Sequence, residues 1–300
     1  MGLQDDIRGQ WRTGGMLVKL IMINAGVFLL LRLFDLVFWL GGSEAPDITR
    51  WLMSSSHLPT LAARPWTVIT YMFTHWSLGH IFWNLLILYF IGRIFEDLLG
   101  PKRLLGNYLL GGIMGLALFV VSYNLFPVFR EMSGSPILGA SAGVMAVLVG
   151  LAAYRPELEL HLLFLGAVRL KWIALAIVLI DLISIRESGN SGGHIAHLGG
   201  ALYGFLSARQ LVKGNDWSMG FINFIDRLFS PFRRKNIRTK LRVEKSFARS
   251  TVASDTALNT AKRDKQARVD AILDKISRSG YDSLSKEEKD FLFKASGEQS

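Results

Sequence analysis

Ser141, His194, His197, His80 and Asn84 each interrupt an apolar stretch with a group that can attack, exchange a proton or hydrogen-bond. A polar side chain in hydrocarbon has no water to bond, so its presence there asks for a function. A serine paired with a histidine is a nucleophile with its base. His80 and Asn84, four apart, lie on one helical face and could donate side-chain hydrogen bonds to an oxyanion. The backbone N–H of Ser141 joins them if the serine opens a helix. His194 and His197 are three apart and share a face. Only one of them can reach Ser141, and spacing leaves the choice open.

Each of these residues has a structural reading when taken alone. A serine in a membrane helix usually bonds back to its own helix, and histidine or asparagine often joins helices together. A metal site from His75, His80, His194 and His197 lacks both an H-E-x-x-H motif and an acidic cluster. We therefore expect no metal and no cofactor.

The elements that must position these groups are membrane helices. The chain has 300 residues, half of them hydrophobic, and no cysteine, which excludes disulfides and thiolate chemistry. The apolar runs end near Val212 and the rest is polar and basic. The net charge of +10 fits cytoplasmic segments rich in Lys and Arg better than nucleic-acid binding. The first apolar run is too long for a signal-peptide core, so we read it as a retained helix.

Hydropathy marks six spans: Met16–Leu40, Gly79–Leu99, Leu104–Phe126, Ile137–Tyr154, Leu170–Ile185 and Gly193–Val212. The long connection between the first two holds Trp51, Trp66 and Trp76 and is expected to sit at the interface. Leu160–Val168 is expected there too, because Arg169 and Lys171 are costly any deeper. Basic residues crowd the N-terminus, the turn after span two and the connection after span four, so both termini are expected to be cytoplasmic. Spans two, four and six then enter from the outer face, each carrying its polar residues near its start. All five candidates fall at one level in the outer leaflet. A nucleophile at that depth needs a water-filled cavity. Gly111 and Gly115 in span three, and Gly200 and Gly204 in span six, allow helix backbones to approach closely.

These residues form a recognisable set. Gly139-Ala140-Ser141-Ala142-Gly143 resembles the rhomboid nucleophile motif G-x-S-G, with Ala142 in place of the usual glycine. Ala196-His197-Leu198-Gly199-Gly200, with Gly204 beyond, is similar to the family's A-H-x-x-G-x-x-x-G in helix six. His75 to Asn84 resembles its H-x-x-x-x-H-x-x-x-N, and Glu96 and Gly100 match a scaffold feature near the inner end of that helix. The resemblance covers about two thirds of the chain. It implies an all-α, polytopic six-helix bundle acting as an intramembrane serine endopeptidase, with transmembrane proteins as substrates and lipid as surroundings. It implies Ser141 as nucleophile, His197 rather than His194 as base, and His80 and Asn84 as oxyanion ligands. Gly139, Gly143, His194, Gly200, Gly204 and Met145 support them. The motif places no carboxylate beside His197, so a dyad is expected; Asp181 in span five is the one intramembrane acid nearby in sequence. A bacterial cytoplasmic membrane is expected, with the site opening outward.

Two further positions depart from the family pattern. Its Trp-Arg pair in the first loop is Trp66-Thr67 here, and the position four after the serine, often aromatic, is Met145. The rival reading is a non-catalytic rhomboid-like protein that binds membrane helices for quality control or transport. Such relatives typically lose the serine or the histidine, and both stand here.

We divide the chain into an N-terminal segment (1–15), the membrane domain (16–213), an amphipathic and basic segment with a linker (214–265) and a helical hairpin (266–300). Phe221 to Phe229 suggests an interfacial helix, with Arg233-Arg234-Lys235 behind it for anionic lipid. The linker is placed near Ser250–Lys265. Val269 to Ile276 reads as a short helix, and Ser285-x-x-Glu288 as the capping box of another. This hairpin resembles a C-terminal module attached to some bacterial rhomboids.

Overall fold

Backbone N–H and C=O groups in an apolar environment must bond within their own segment, which makes helices of the long apolar runs. The computed structural model describes residues 2–162, 166–187, 189–229 and 248–297. A short helix α1 (Leu3–Thr13) precedes α2 (Met16–Leu40). The first loop holds α3 (Ile48–Leu52), β1 (Ser54–Ser55), α4 (Leu58–Ala63) and α5 (Thr67–Thr70). Then follow α6 (Leu78–Leu99), α7 (Pro101–Leu125), β2 (Pro136–Ile137) and α8 (Ser141–Tyr154). A hairpin of β3 (Glu159–Leu162) and β4 (Gly166–Arg169) leads into α9 (Leu170–Glu187) and α10 (Ser191–Val212).

The chain is a predominantly helical membrane bundle. Among the described residues α2, α6 and α7 are long and apolar enough to cross a bilayer by themselves. α8 is apolar but has only 14 residues, about 21 Å of rise against a hydrocarbon core of ~30 Å. Ten of those residues are buried, with α6, α7, α9 and α10 packed around them. Exposed large side chains such as Leu30, Trp39, Phe90 and Ile183 lie on the outer helices, where lipid is the solvent.

The C-terminal end of α6 holds α2 in place. Glu96 accepts the otherwise unpaired N–H groups of Met16 (2.6 Å) and Leu17 (3.0 Å) at the start of α2. Arg32 reaches from α2 to the carbonyl of Trp76 at 2.6 Å and pairs with Asp35 at 3.2 Å. In the first loop Trp66 Nε1 donates to the carbonyl of Trp51, whose ring lies under the Arg64 guanidinium. Thr67, standing where the family pattern has arginine, is buried and donates to the Arg64 carbonyl at 2.7 Å.

Helix ends elsewhere lie close to the sequence reading, and the largest difference is at the fourth span. The fourth span begins at Ser141, not Ile137, because residues 136–137 pair with Ser54–Ser55 as a two-stranded ladder. Gly139 at φ 122° then turns the chain before the helix can start. The stretch around Leu160–Val168 is an antiparallel hairpin whose Arg169 pairs with Glu157 and Glu159.

After α10, helix α11 (Trp217–Phe229) lies against α7 and α10. Asn107 Nδ2 donates to Ser218 Oγ (2.9 Å), Ser207 Oγ donates to Asn107 Oδ1 (3.0 Å), and Arg103 pairs with Asp216 at 2.6 Å. Phe224 and Leu228 stay exposed, as an interfacial helix requires. Arg233, Arg234 and Lys235 lie outside the described residues.

Residues 234–300 form a second compact unit. It contains α12 (Ala248–Ser279) and α13 (Lys286–Gly297). The segment read as a linker is therefore helical: it has neither Gly nor Pro, and its Ala, Lys and Arg favour helix without any apolar period. Gly280 at φ 79° ends α12. Ser285 N–H donates to Glu288 Oε2 (2.8 Å) and Glu288 N–H to Ser285 Oγ (3.2 Å), the reciprocal pair of a capping box. Lys275 also bonds Glu288 at 2.9 Å, which joins α12 to α13.

Candidate active site

Ser141 is the first residue of α8, so its N–H is one of the unpaired donors of a helix N-terminus. What puts it there is the preceding loop. Gly139 N–H donates to the Tyr71 carbonyl at 2.8 Å, and Tyr71 OH donates to the Gly112 carbonyl at 2.6 Å. Ala140 N–H donates to His75 Nε2 at 3.4 Å, and His75 is buried. Burial, with His80 next to it, pushes the His75 imidazole down to about 4, which keeps Nε2 free to accept.

His80 and Asn84 occupy one face of α6, and Ser77 caps that helix by accepting from His80 N–H. The His80 ring stands 5.0 Å from the His75 ring, edge to face. A Cβ built on Gly139 would lie 2.8 Å from His80 Nε2 and 3.7 Å from Ser141 Oγ, so the imidazole and hydroxyl converge on the same spot. Asn84 uses one amide hydrogen on the His80 carbonyl at 2.8 Å and keeps the other.

α10 brings the second partner. Gly200 and Gly204 let it touch α8: a Cβ on Gly200 would overlap the Ala142 carbonyl oxygen, and one on Gly204 the Ala146 carbonyl oxygen. Gly143 meets the Tyr108 carbonyl in the same way, at 2.7 Å from its would-be Cβ. On the facing side, Gly111 and Gly115 of α7 meet Ala146 and Ala142. The helices are as close as backbones allow.

The result is a cavity of about 560 Å³ lined by Ser141, His197, His80, Asn84, Asp181 and Met145, with Trp76, Trp83 and apolar side chains around them. No hydrogen bond joins Ser141 Oγ to His197 among the described residues; such contacts often tighten only with substrate. His194 does not line the cavity. Asn190 and Gly193, on either side of the α10 N-terminus, do.

One feature departs from the expected dyad. Asp181, on α9, sits beside both histidines. Its Oδ1 lies 2.7 Å from His194 Nδ1 and 2.9 Å from His197 Nδ1, and its side chain is 7 % exposed. The signal in the sequence was the cost of an acid within an apolar span; no spacing rule links it to a histidine on the next helix. An ionised carboxylate only accepts, so against it each Nδ1 would have to carry the ring's proton. These three residues are also the metal-capable cluster among the described residues, in place of the four histidines weighed from sequence.

A sequence profile of the rhomboid domain matches residues 62–214, which holds every residue of this cavity. The chain belongs to the rhomboid family. Residues 254–298 match a family of unknown function, DUF6576. RHOMBOID-like protein 12, mitochondrial, of Arabidopsis thaliana is 28% identical over 204 residues, 65% of this chain and 58% of the relative. Presenilin-associated rhomboid-like protein A, mitochondrial, of Danio rerio is 31% identical over 150 residues, covering 49% of the chain and 37% of the relative. The human presenilin-associated rhomboid-like protein, mitochondrial, is 31% identical over 140 residues, 44% of this rhomboid and 34% of its own length. The rhomboid thus spans less than two thirds of these relatives. Their names place them in mitochondria, which counts against the bacterial membrane expected from sequence; integration in a membrane stands.

Proposed function

We infer that this rhomboid is an intramembrane serine endopeptidase that cuts transmembrane segments of other membrane proteins. The observation that carries the reading is the convergence of Ser141, His197, His80 and Asn84 on one cavity inside a helical bundle. His197 Nε2 takes the Ser141 proton as Oγ attacks the peptide carbonyl. The developing oxyanion is met by Ser141 N–H, His80 and Asn84. His197 then gives the proton to the leaving amine, and water hydrolyses the acyl ester by the reverse sequence. Met145 packs at the cavity wall and can follow the imidazole without fixing it as an aromatic ring would.

A substrate helix hides its peptide bonds and must unwind to present one, so Gly, Pro or other helix-weak residues belong near the cut. The N-terminus lies on the Lys/Arg-rich side of the membrane, and the cavity opens to the other.

The experiment is cleavage of a model transmembrane substrate in liposomes by wild type, Ser141→Ala and His197→Ala. Wild type cuts and both folded variants lose at least ~10³-fold. Cutting by Ser141→Ala sinks the reading. If wild type cuts none of several substrates yet retains them, the helix-binding alternative takes its place.

A further inference from the structure

We propose that Asp181 is a positioning residue for His197, holding its ring by Nδ1 so that Nε2 faces Ser141. The inference rests on the peptidase reading and replaces its dyad by a carboxylate-supported pair. A histidine serves as base only if the nitrogen facing the nucleophile lacks a proton. Left alone, an imidazole in this cavity has two tautomers and a free rotation about its side-chain bonds. The bond of 2.9 Å from Nδ1 to Asp181 Oδ1 selects one tautomer and one ring orientation. The aromatic neighbour that could otherwise hold the ring is absent, since Met145 stands four residues after the serine.

The surroundings leave this task to Asp181. The titratable groups lining the cavity are His80 from α6, Asp181 from α9 and His197 itself. His80 accepts or donates but carries no negative charge, and His194 faces the same carboxylate oxygen. Asp181 Oδ2 is buried without a hydrogen-bond partner among the described residues. An ionised carboxylate buried so incompletely bonded is costly, and the imidazolium that forms on His197 during the reaction is the charge that compensates it. A bound metal is the poorer account: ligand atoms ~2.0–2.2 Å from a tetrahedral ion stand more than ~3 Å apart, whereas the two Nδ1 atoms lie 2.7 and 2.9 Å from Asp181 Oδ1, the spacing of direct hydrogen bonds.

A second role, bolting α9 to α10, is one His194 fills equally well, so the test must separate positioning from bolting. In liposomes, Asp181→Asn is expected to cut a transmembrane substrate with kcat lowered roughly 10²–10⁴-fold and KM nearly unchanged. Ser141 in that variant should react with a fluorophosphonate more slowly by a similar factor, a readout independent of substrate binding. Asp181→Glu should recover part of both. Independently, nitrogen-15 NMR of Ser141→Ala protein, which keeps Asp181, should show His197 protonated on Nδ1. Cleavage and labelling within threefold of wild type for Asp181→Asn overturns the proposal, as does a His197 proton on Nε2. If Asp181→Asn fails to fold, the NMR result decides. If wild type neither labels nor cuts, the peptidase reading fails first and takes this one with it.

Discussion

His80 and Asn84 act, in this reading, only on charge that develops during the reaction. Replacing either by Ala should lower kcat roughly 10²–10³-fold and leave KM little changed, measured on a transmembrane substrate. His75 belongs to a different class. Its folded imidazole resists protonation down to about 4, while an unfolded chain's histidine takes its proton near 6.5. The unfolded state therefore binds more protons in that window, and stability falls as pH drops through it. Melting in detergent should show a Tm loss between those values that shrinks in His75→Gln. The five polar interruptions stood out in the sequence because hydrocarbon makes them costly; four of them line the cavity and His194 does not. The Asp181 contact was not legible there, because its partner His197 lies 16 positions away on another helix and charge alone does not say which neighbour receives it.

At the scale of elements, α8 and α10 are separated by glycines alone. Gly200→Ala adds a Cβ where the Ala142 carbonyl stands. It should destabilise the bundle by about 1–3 kcal/mol and, by pushing His197 away from Ser141, cost activity beyond that loss. Thermal melting and cleavage rates of the same preparation test both. In the tail, Ser285→Ala removes the α13 cap and should weaken that helix by about 1 kcal/mol, seen as faster amide exchange over its first turn. The spans were legible because bilayer thickness dictates their length. The start of α8 was misplaced because hydropathy cannot separate Ile137, in a strand, and Leu138, in the loop after it, from the helix that follows. The part of α12 before Val269 was missed for the opposite reason: a helical stretch polar on every side carries no apolar period to detect.

For the whole molecule, the question is how a transmembrane segment reaches a cavity inside the bundle. Residues 189–193 are rich in Gly, Asn and Ser, and Asn190 and Gly193 line the cavity. The chain has no cysteine, so a pair introduced between residues 187–193 and the first loop cross-links without background. If this segment must move aside for substrate to enter, oxidation abolishes cleavage of membrane substrates and reduction restores it; activity unchanged by the cross-link rejects that movement. Proteoliposomes of graded acyl-chain length would probe the remaining variable. A bilayer adapts its thickness to the helices it wets. α8, sheathed by its neighbours, has almost no wetted side, so hydrophobic mismatch strains the outer helices α2 and α6 and leaves the nucleophile's helix at a depth set by protein contacts. The depth at which a substrate is cut should then follow a fixed internal ruler, while the lipid sets only how that substrate slides past it.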